Sequence, residues 1–307
     1  MDDLAAAERI LRDAVGERLR VAFPLGPLTT FRIGGPAALY LEPESEGDLS
    51  AAARAITEAA IPWTVLGKGS NVLVADEGFP GLVLRLGRAF RWAAREDERL
   101  TAGGAMPLPA LAGVALGHGL AGIEFGVAIP ATVGGAVRMN AGAHGGEIRD
   151  VVVQIELFDL TSDRRLALAA SDAGFGYRSS RLPAGSVVTG ATFALVDGDV
   201  AEIRSRMDDA RAWRRRTQPL AEPNCGSVFT NPPGAHAAKL IEDAGGKSLV
   251  EGRAHVSAKH ANFLIAEPGA TAADVMRLID RIRVLVREHA GLELVPEVQL
   301  VGGTADG

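Results

Sequence analysis

The sequence predicts an α+β fold in more than one part, and three observations carry that expectation. Some stretches show apolar residues at helical spacing and others short strand-like runs, but the two kinds do not alternate as regular βαβ units. The chain has 307 residues, enough for two domains. After Asp199 the composition shifts into the charged, helical run EIRSRMDDARAWRRR. The organisation expected is an N-terminal helix over 1–20, a first domain over 21–198 and a second, smaller α+β domain over 199–307.

Along the chain, Leu4, Ala7, Leu11, Ala14 and Val15 predict a short amphipathic helix. FRIGGPAALYLEP reads as a strand, a Gly-Gly turn and another strand. Asp48 is placed to cap a helix reaching Ala60, with Leu49, Ala52, Ile56 and Ala59 facing inward. Strand-like WTVL runs into Gly67-Lys68-Gly69-Ser70-Asn71, and LVADEGFPGLVLRL reads as a strand pair. A Gly-Gly turn at Gly103 and Gly104 precedes a helix over Leu108–Leu116, and Gly122–Gly146 shows no convincing regular element. VVVQIELFDL, RRLALAA and SVVTGATFALV read as strands. Val275, Leu278, Ile279, Ile282, Leu285 and Val286 make the clearest helix, with a Thr271/Asp274 capping box and a stop at Gly291.

Composition bounds function loosely. With 47% hydrophobic and 23% charged residues the chain is able to bury a core, and its net charge of -6 gives no reason to expect nucleic acid. The lone Cys225 rules out an internal disulfide and fits a reducing compartment. The acidic start does not resemble a secretory leader, and no long uncharged apolar run suggests a membrane span. A soluble cytoplasmic protein is expected, with no membrane association, no metal and no obligate protein partner.

Five segments are candidates for chemistry. The GKGSN loop after a strand suits an anion-binding concavity, although a plain tight turn reads equally well; it matches neither the P-loop nor GxGxxG. GVAIPATVGGAVRMNAGAHGGE packs small residues as if wrapped around a flat ligand, with Ile129, Val133, Val137 and Met139 as anchors. FGYRSSRL offers Tyr177, Arg178 and Arg181, where surface arginines are the bland alternative. PNCGSVFTNP offers Ser227 and Asn231, and a serine outside a GxSxG elbow is more often structural. In LVPEVQLVG, Glu297 stands in an otherwise apolar strand, either at an exposed edge or buried for proton handling.

In this order the segments resemble the UDP-N-acetylenolpyruvoylglucosamine reductase (MurB) family in its shorter form. The matches are TTFRIGG, VLGKGSNVLV, IPATVGGAVRMNAGA, GYRSSRL, RRRTQPL with PNCGSVFTNP, KLIEDAGGKS, HVSAKHANFLI and PEVQLVG, spanning about residues 28–302. The resemblance implies an FAD-binding module of the vanillyl-alcohol-oxidase type followed by a substrate-binding domain. It implies non-covalent FAD, NADPH as hydride donor, and reduction of the enolpyruvyl group of a nucleotide sugar to give UDP-N-acetylmuramate. It places the catalytic residues at Arg178, Ser227 and Glu297 and substrate contacts at Tyr177 and Asn231. The flavin-binding positions it implies are Gly67, Lys68, Gly69, Ser70, Asn71, Val72, Gly104, Ile129, Pro130, Thr132, Gly134, Gly135, Asn140 and Gly142. Basic residues of WRRRTQPL are candidates for the substrate diphosphate.

Departures from the family pattern fall at Thr29, Ala131, His144, Lys247-Ser248 and Ala266, none of them a reactive position. No tyrosine-rich insertion lies between Leu195 and Glu222, and no dinucleotide fingerprint serves the nicotinamide donor. Two other readings remain at this point: a flavin oxidase on the same scaffold, disfavoured because LGKGSN carries no histidine for a covalent tether, and a non-catalytic flavin or nucleotide-sugar binder, disfavoured by Arg178, Ser227 and Glu297.

Overall fold

Seven α-helices are present among residues 2–303, which the computed structural model describes: α1 (Asp2–Val15), α2 (Glu46–Ala59), α3 (Leu108–Gly117), α4 (Val133–Arg138), α5 (Val200–Thr217), α6 (Ala237–Asp243) and α7 (Ala272–Ala290). The chain divides into two compact units interleaved in sequence. The first holds the N-terminal segment to Val21, Leu39–Lys68 and Gly81–Trp213; the second holds Ala22–Ala38, Gly69–Pro80 and the chain from Arg214 on.

In the first unit, an antiparallel five-stranded sheet runs in the order Arg164–Ala169, Val152–Asp159, Ser186–Ala194, Arg99–Gly103, Ala93–Glu96. Its two faces bury different cores, because successive strand side chains point opposite ways. Leu157 and Val188 join the core formed with α3, α4 and α5, whereas their neighbours Phe158 and Val187 join the one formed with α1 and α2. On α1 the helical spacing expected from the sequence buries Ala7, Leu11 and Val15.

The N-cap of α2 is Ser45, not Asp48: the Ser45 hydroxyl accepts the Asp48 N–H at 3.2 Å. Asp48 lies inside the first turn, where its carboxylate accepts from the Arg18 guanidinium at 2.8 Å and from the Glu44 N–H at 2.7 Å. The Arg18 hydrogen bond holds this carboxyl below the ordinary carboxylate range, against the opposite effect of burial.

Two further expectations are corrected. Pro36–Leu41 is a strand, but Phe31–Gly35 before it is not, since positive φ at Arg32 (+60°) and Gly34 (+114°) breaks the extended run. Val72–Val74 and Phe79–Leu84 are both strands, yet they do not pair with each other. The former runs parallel to Gln299–Val301, and Trp63–Val65 runs parallel to the end of the latter. The Gly122–Gly146 stretch holds the six-residue α4 and a hairpin joining Gly142–Ala143 to Gly146–Glu147. A helix shorter than two turns displays too little periodicity to stand out among glycines and alanines.

In the second unit, α7 lays Val275, Leu278, Ile279, Ile282 and Val286 into a core with Val228, Phe229, Ala254, Val256 and Leu264. Burying such side chains contributes roughly 1.5–3 kcal/mol apiece. Thr271 and Asp274 form the expected reciprocal capping box, and Gly291 ends the helix at φ +66°. Antiparallel strands Val250–Glu251, Ala254–Val256 and Leu264–Ala266 complete the unit. Among the described residues, no helix is long and apolar enough to cross a membrane, and no three His, Cys, Asp or Glu side chains gather as a metal site.

Candidate active site

The glycine-rich loop follows strand Trp63–Val65. The N–H groups of Lys68, Gly69, Ser70 and Asn71 donate to no described residue. Gly69 is at φ +67°, and a Cβ there would stand 2.4 Å from the Leu28 carbonyl oxygen, so only glycine fits. Successive unspent N–H groups beside a left-handed residue make an anion-binding concavity. Asn71 also bonds within the protein, its Nδ2 donating to the Glu297 carbonyl at 3.1 Å.

The N-terminus of α4 is less open than its glycines suggest. Val133 N donates to Met106 O at 2.8 Å, Gly134 N to Gly104 O at 2.9 Å, and Gly135 N to the Thr132 hydroxyl at 3.3 Å. Gly104 and Gly134 therefore bring helix and sheet together, and Thr132 caps the helix while standing against Gly67. Ile129 and Pro130 are half-buried ahead of it.

Beyond α4 the chain builds the seat of Arg178. Its Nη2 donates to the Gly142 carbonyl at 2.9 Å, and its guanidinium lies 5.1 Å from the Tyr177 ring centroid. A Cβ on Gly142 would stand 2.7 Å from Glu147 Cβ, 2.9 Å from the Gly146 oxygen and 3.2 Å from Arg178 Nη1, so close approach demands glycine there. Arg178 itself is at φ +54°, a conformation that L-residues rarely adopt.

Two bonds secure the loop carrying Arg178. Asn140, fully buried, donates to Gly176 O at 2.9 Å and to Glu147 Oε2 at 2.7 Å, and accepts the Arg149 N–H at 3.0 Å. The Ser180 hydroxyl donates to Arg138 O at 2.7 Å. Asn140 thus spends its side chain inside the protein, leaving any flavin contact to its main chain. Arg138 reaches Ser186 O at 2.6 Å, and burial pulls its pKa down.

In the second unit, Ser227 follows a turn closed by Asn224, whose Oδ1 accepts the Gly226 N–H at 2.9 Å, with Gly226 at φ +80°. Val228 links the segments of Ser227 and Glu297, since its carbonyl accepts the Glu297 N–H at 2.7 Å. Glu297 is half-buried and precedes the strand Gln299–Val301 rather than standing in it. Burial pushes the Cys225 thiol far up.

Asn231 is exposed, and its Oδ1 accepts the Ala237 N–H at 3.0 Å, which leaves its amide to donate outward. Tyr177 is 53% exposed. Of the arginines in WRRRTQPL, Arg214 is half-buried and bonded to Gln218, while Arg215 and Arg216 are exposed. The departure at Thr29 is a local turn: its hydroxyl donates to Gly26 O and accepts the Arg32 N–H, both at 3.0 Å. His144 packs edge-on to Trp213 at 5.0 Å.

Reading residue by residue missed Glu147, which holds Asn140, and Asn262, which holds the peptide of Phe229. Asn262 lies in the quoted HVSAKHANFLI motif, but its partner is main chain 33 residues away, which no spacing reveals.

Comparison with known proteins identifies the family. The family model of an FAD binding domain matches residues 37–164, and that of the UDP-N-acetylenolpyruvoylglucosamine reductase C-terminal domain matches 218–301. A UDP-N-acetylenolpyruvoylglucosamine reductase of Heliobacterium modesticaldum is 45% identical over 304 residues, covering 97% of this chain and 96% of that one. The crystal structure of the Thermus caldophilus UDP-N-acetylenolpyruvylglucosamine reductase (MurB) is 36% identical with a TM-score of 0.80, over 92% of this chain and 100% of that one. Physcomitrella patens BBE-like 1 shares the fold alone, at 11% identity and a TM-score of 0.56 over 92% of this chain and 88% of that one. The fold is an α+β FAD-binding module of the vanillyl-alcohol-oxidase type joined to the C-terminal domain of the reductases. Matched along nearly its whole length by such relatives, the chain belongs to the UDP-N-acetylenolpyruvoylglucosamine reductase family.

Proposed function

We propose that this protein reduces the enolpyruvyl group of UDP-N-acetylglucosamine enolpyruvate to give UDP-N-acetylmuramate, a peptidoglycan precursor, with NADPH as donor and FAD held non-covalently. The observation that carries the reading is its 45% identity to a named reductase across 97% of the chain. By the resemblance of GYRSSRL, PNCGSVFTNP and PEVQLVG to the family's motifs, Arg178, Ser227 and Glu297 take its reactive positions.

The residues present fit FAD. Within the loop of Gly67, Lys68, Gly69, Ser70, Asn71 and Val72, the N–H groups of Lys68, Gly69, Ser70 and Asn71 are unspent, as a diphosphate requires. When bound, FAD supplies the relay that accepts hydride from the nicotinamide and returns it to the substrate.

Arriving hydride converts the terminal CH2 of the enolpyruvyl group to CH3 and leaves negative charge spread from the α-carbon into the carboxylate. Arg178 is the side chain to meet that charge, its guanidinium braced by Gly142 and Tyr177 so that little reorganisation is needed. Glu297, protonated, donates a hydrogen bond to the same developing charge. Ser227 gives its hydroxyl proton to the α-carbon, completing addition of one hydride and one proton across the double bond. A serine hydroxyl is a weak acid, so this step depends on exact placement beside a strongly basic carbon. Tyr177 and Asn231 contact the substrate in this reading.

Most of 21–198 serves as the FAD-binding domain and most of 199–307 as the substrate-binding domain, in keeping with the matched spans 37–164 and 218–301, although 22–38 and 69–80 pack within the second compact unit and 199–213 within the first. The protein acts in the cytoplasm, without nucleic acid, membrane or obligate protein partner; its net charge of -6 and single cysteine support this. Isotope labelling tests the chemistry. With 4-deuterated NADPH in ordinary water, deuterium that escapes exchange with solvent enters the product methyl group. In deuterated water, the α-carbon acquires deuterium. An unlabelled α-carbon after turnover in deuterated water contradicts the protonation step.

A further inference from the structure

We infer that Asn262 is the positioning residue for proton delivery: it fixes the peptide following Ser227 and, through Val228, its register with Glu297. This rests on the proposed roles of Ser227 and Glu297. Asn262 is 4% exposed and belongs to the turn between strands Ala254–Val256 and Leu264–Ala266. Its Oδ1 accepts the Phe229 N–H at 2.9 Å, and its Nδ2 donates to the Phe229 carbonyl at 2.8 Å. Its own carbonyl accepts the Val228 N–H at 2.9 Å. One residue thus holds both positions directly after Ser227.

The opposite edge of this short segment is held as well. Val228 O accepts from Glu297 N at 2.7 Å, Thr230 N donates to Val295 O at 3.0 Å, and Phe229 forms an antiparallel bridge with Pro296. Asn262 therefore acts as one more strand would, satisfying a buried peptide that Glu297 and its neighbours leave unpaired. Val228 and Phe229 are 0% and 1% exposed, so water cannot replace a lost partner without opening the core.

The chemistry selects asparagine. Only a carboxamide offers a donor and an acceptor side by side at this reach; aspartate would set an acceptor against the Phe229 carbonyl. The turn is closed behind it, where the Asn262 N–H donates to His260 Nδ1 at 3.3 Å. Burial, with the Lys247 charge, pushes His260 below the ordinary imidazole range, and the neutral ring keeps that lone pair available.

The test compares Asn262→Asp, Ser227→Ala and their double variant as purified flavoproteins, with Asn262→Gln as the conservative partner. Flavin content and melting temperature are checked first. The two half-reactions are then followed separately: bleaching by NADPH, and reoxidation by UDP-N-acetylglucosamine enolpyruvate. Asn262→Asp is expected to slow reoxidation about 10–100-fold while bleaching stays within about twofold, and Asn262→Gln to fall between it and the unaltered protein. In the Ser227→Ala background, Asn262→Asp is expected to cost less than about threefold, because the group it positions is gone.

Equal slowing of both half-reactions, or full additivity with Ser227→Ala, would overturn the proposal and leave Asn262 as scaffold only. If Asn262→Asp does not fold, Asn262→Gln decides by the same two criteria. If Ser227→Ala alone leaves reoxidation unchanged, the assigned role of Ser227 fails first and the proposal falls with it.

Discussion

Asn71 and Glu297 are 226 positions apart in sequence, yet the Asn71 side-chain nitrogen donates to the Glu297 carbonyl at 3.1 Å. The bond is reinforced one step on, where Gln299 N donates to Asn71 O at 3.0 Å. The loop proposed to hold the flavin diphosphate is thus tied to the main chain of a proposed catalytic carboxyl. Removing the bond with Asn71→Ala is expected to weaken flavin retention and slow reoxidation by substrate several-fold, in keeping with a net hydrogen-bond contribution of about 1 kcal/mol. Flavin released on dilution and the reoxidation rate, measured on one preparation, check both effects.

Ser227→Ala is expected to leave bleaching by NADPH nearly intact while reoxidation by the enolpyruvyl substrate falls about 10²–10⁴-fold, the usual range for losing a positioned proton donor. Anaerobic rapid mixing of each half-reaction measures this. A comparable loss in both would show that Ser227 does not act at the proton step.

Gly142→Ala places a methyl group 2.7 Å from Glu147 Cβ and 2.9 Å from the Gly146 oxygen. The hairpin has to shift, and the Gly142 carbonyl that braces Arg178 shifts with it. The expected outcome is a fall of roughly 1–3 kcal/mol in stability, as for overpacking, with a loss of kcat/KM larger than that stability change explains. Thermal melts beside steady-state kinetics separate the two.

The Arg18–Asp48 pair makes stability acid-sensitive. Asp48 has a depressed carboxyl pKa in the folded chain, so its contribution is fully present above the unfolded value of about 3.9 and is lost as pH falls through the folded value below it. Asp48→Asn is therefore expected to be less stable than the unaltered protein at pH 7, with the gap narrowing below about pH 4. Denaturant melts at pH 7 and pH 3 measure the gap; a constant gap would contradict the linkage.

The strongly periodic elements were legible in the sequence. On α7 the apolar stripe, the capping box and the glycine stop all agree, so local propensity and tertiary burial demand the same structure. By contrast, α4 is hidden because six residues of mostly glycine, alanine and valine suit a loop equally well. The position of Asp48 misled because an aspartate in the first turn looks like a cap until Ser45 is seen in that role. The strand pairing of Val72–Val74 with Gln299–Val301 depends on long-range topology that no local pattern encodes.

For the site, motif order pointed to Arg178, Ser227 and Glu297, but the side chains that hold their surroundings act on main chain. Asn140 bonds the Gly176 carbonyl and Asn262 the Phe229 peptide; neither partner has a side chain that a motif could display at the contact. Such second partners become visible only once backbone positions are known.

The most direct measurement is anaerobic spectrophotometry of the purified flavoprotein. Its flavin is bleached with NADPH, and UDP-N-acetylglucosamine enolpyruvate is then added without oxygen. Prompt return of the oxidised bands, with UDP-N-acetylmuramate formed in equal amount, is the predicted result. A protein that bleaches but stays bleached until air is admitted contradicts the reductase account and points to an oxidase instead.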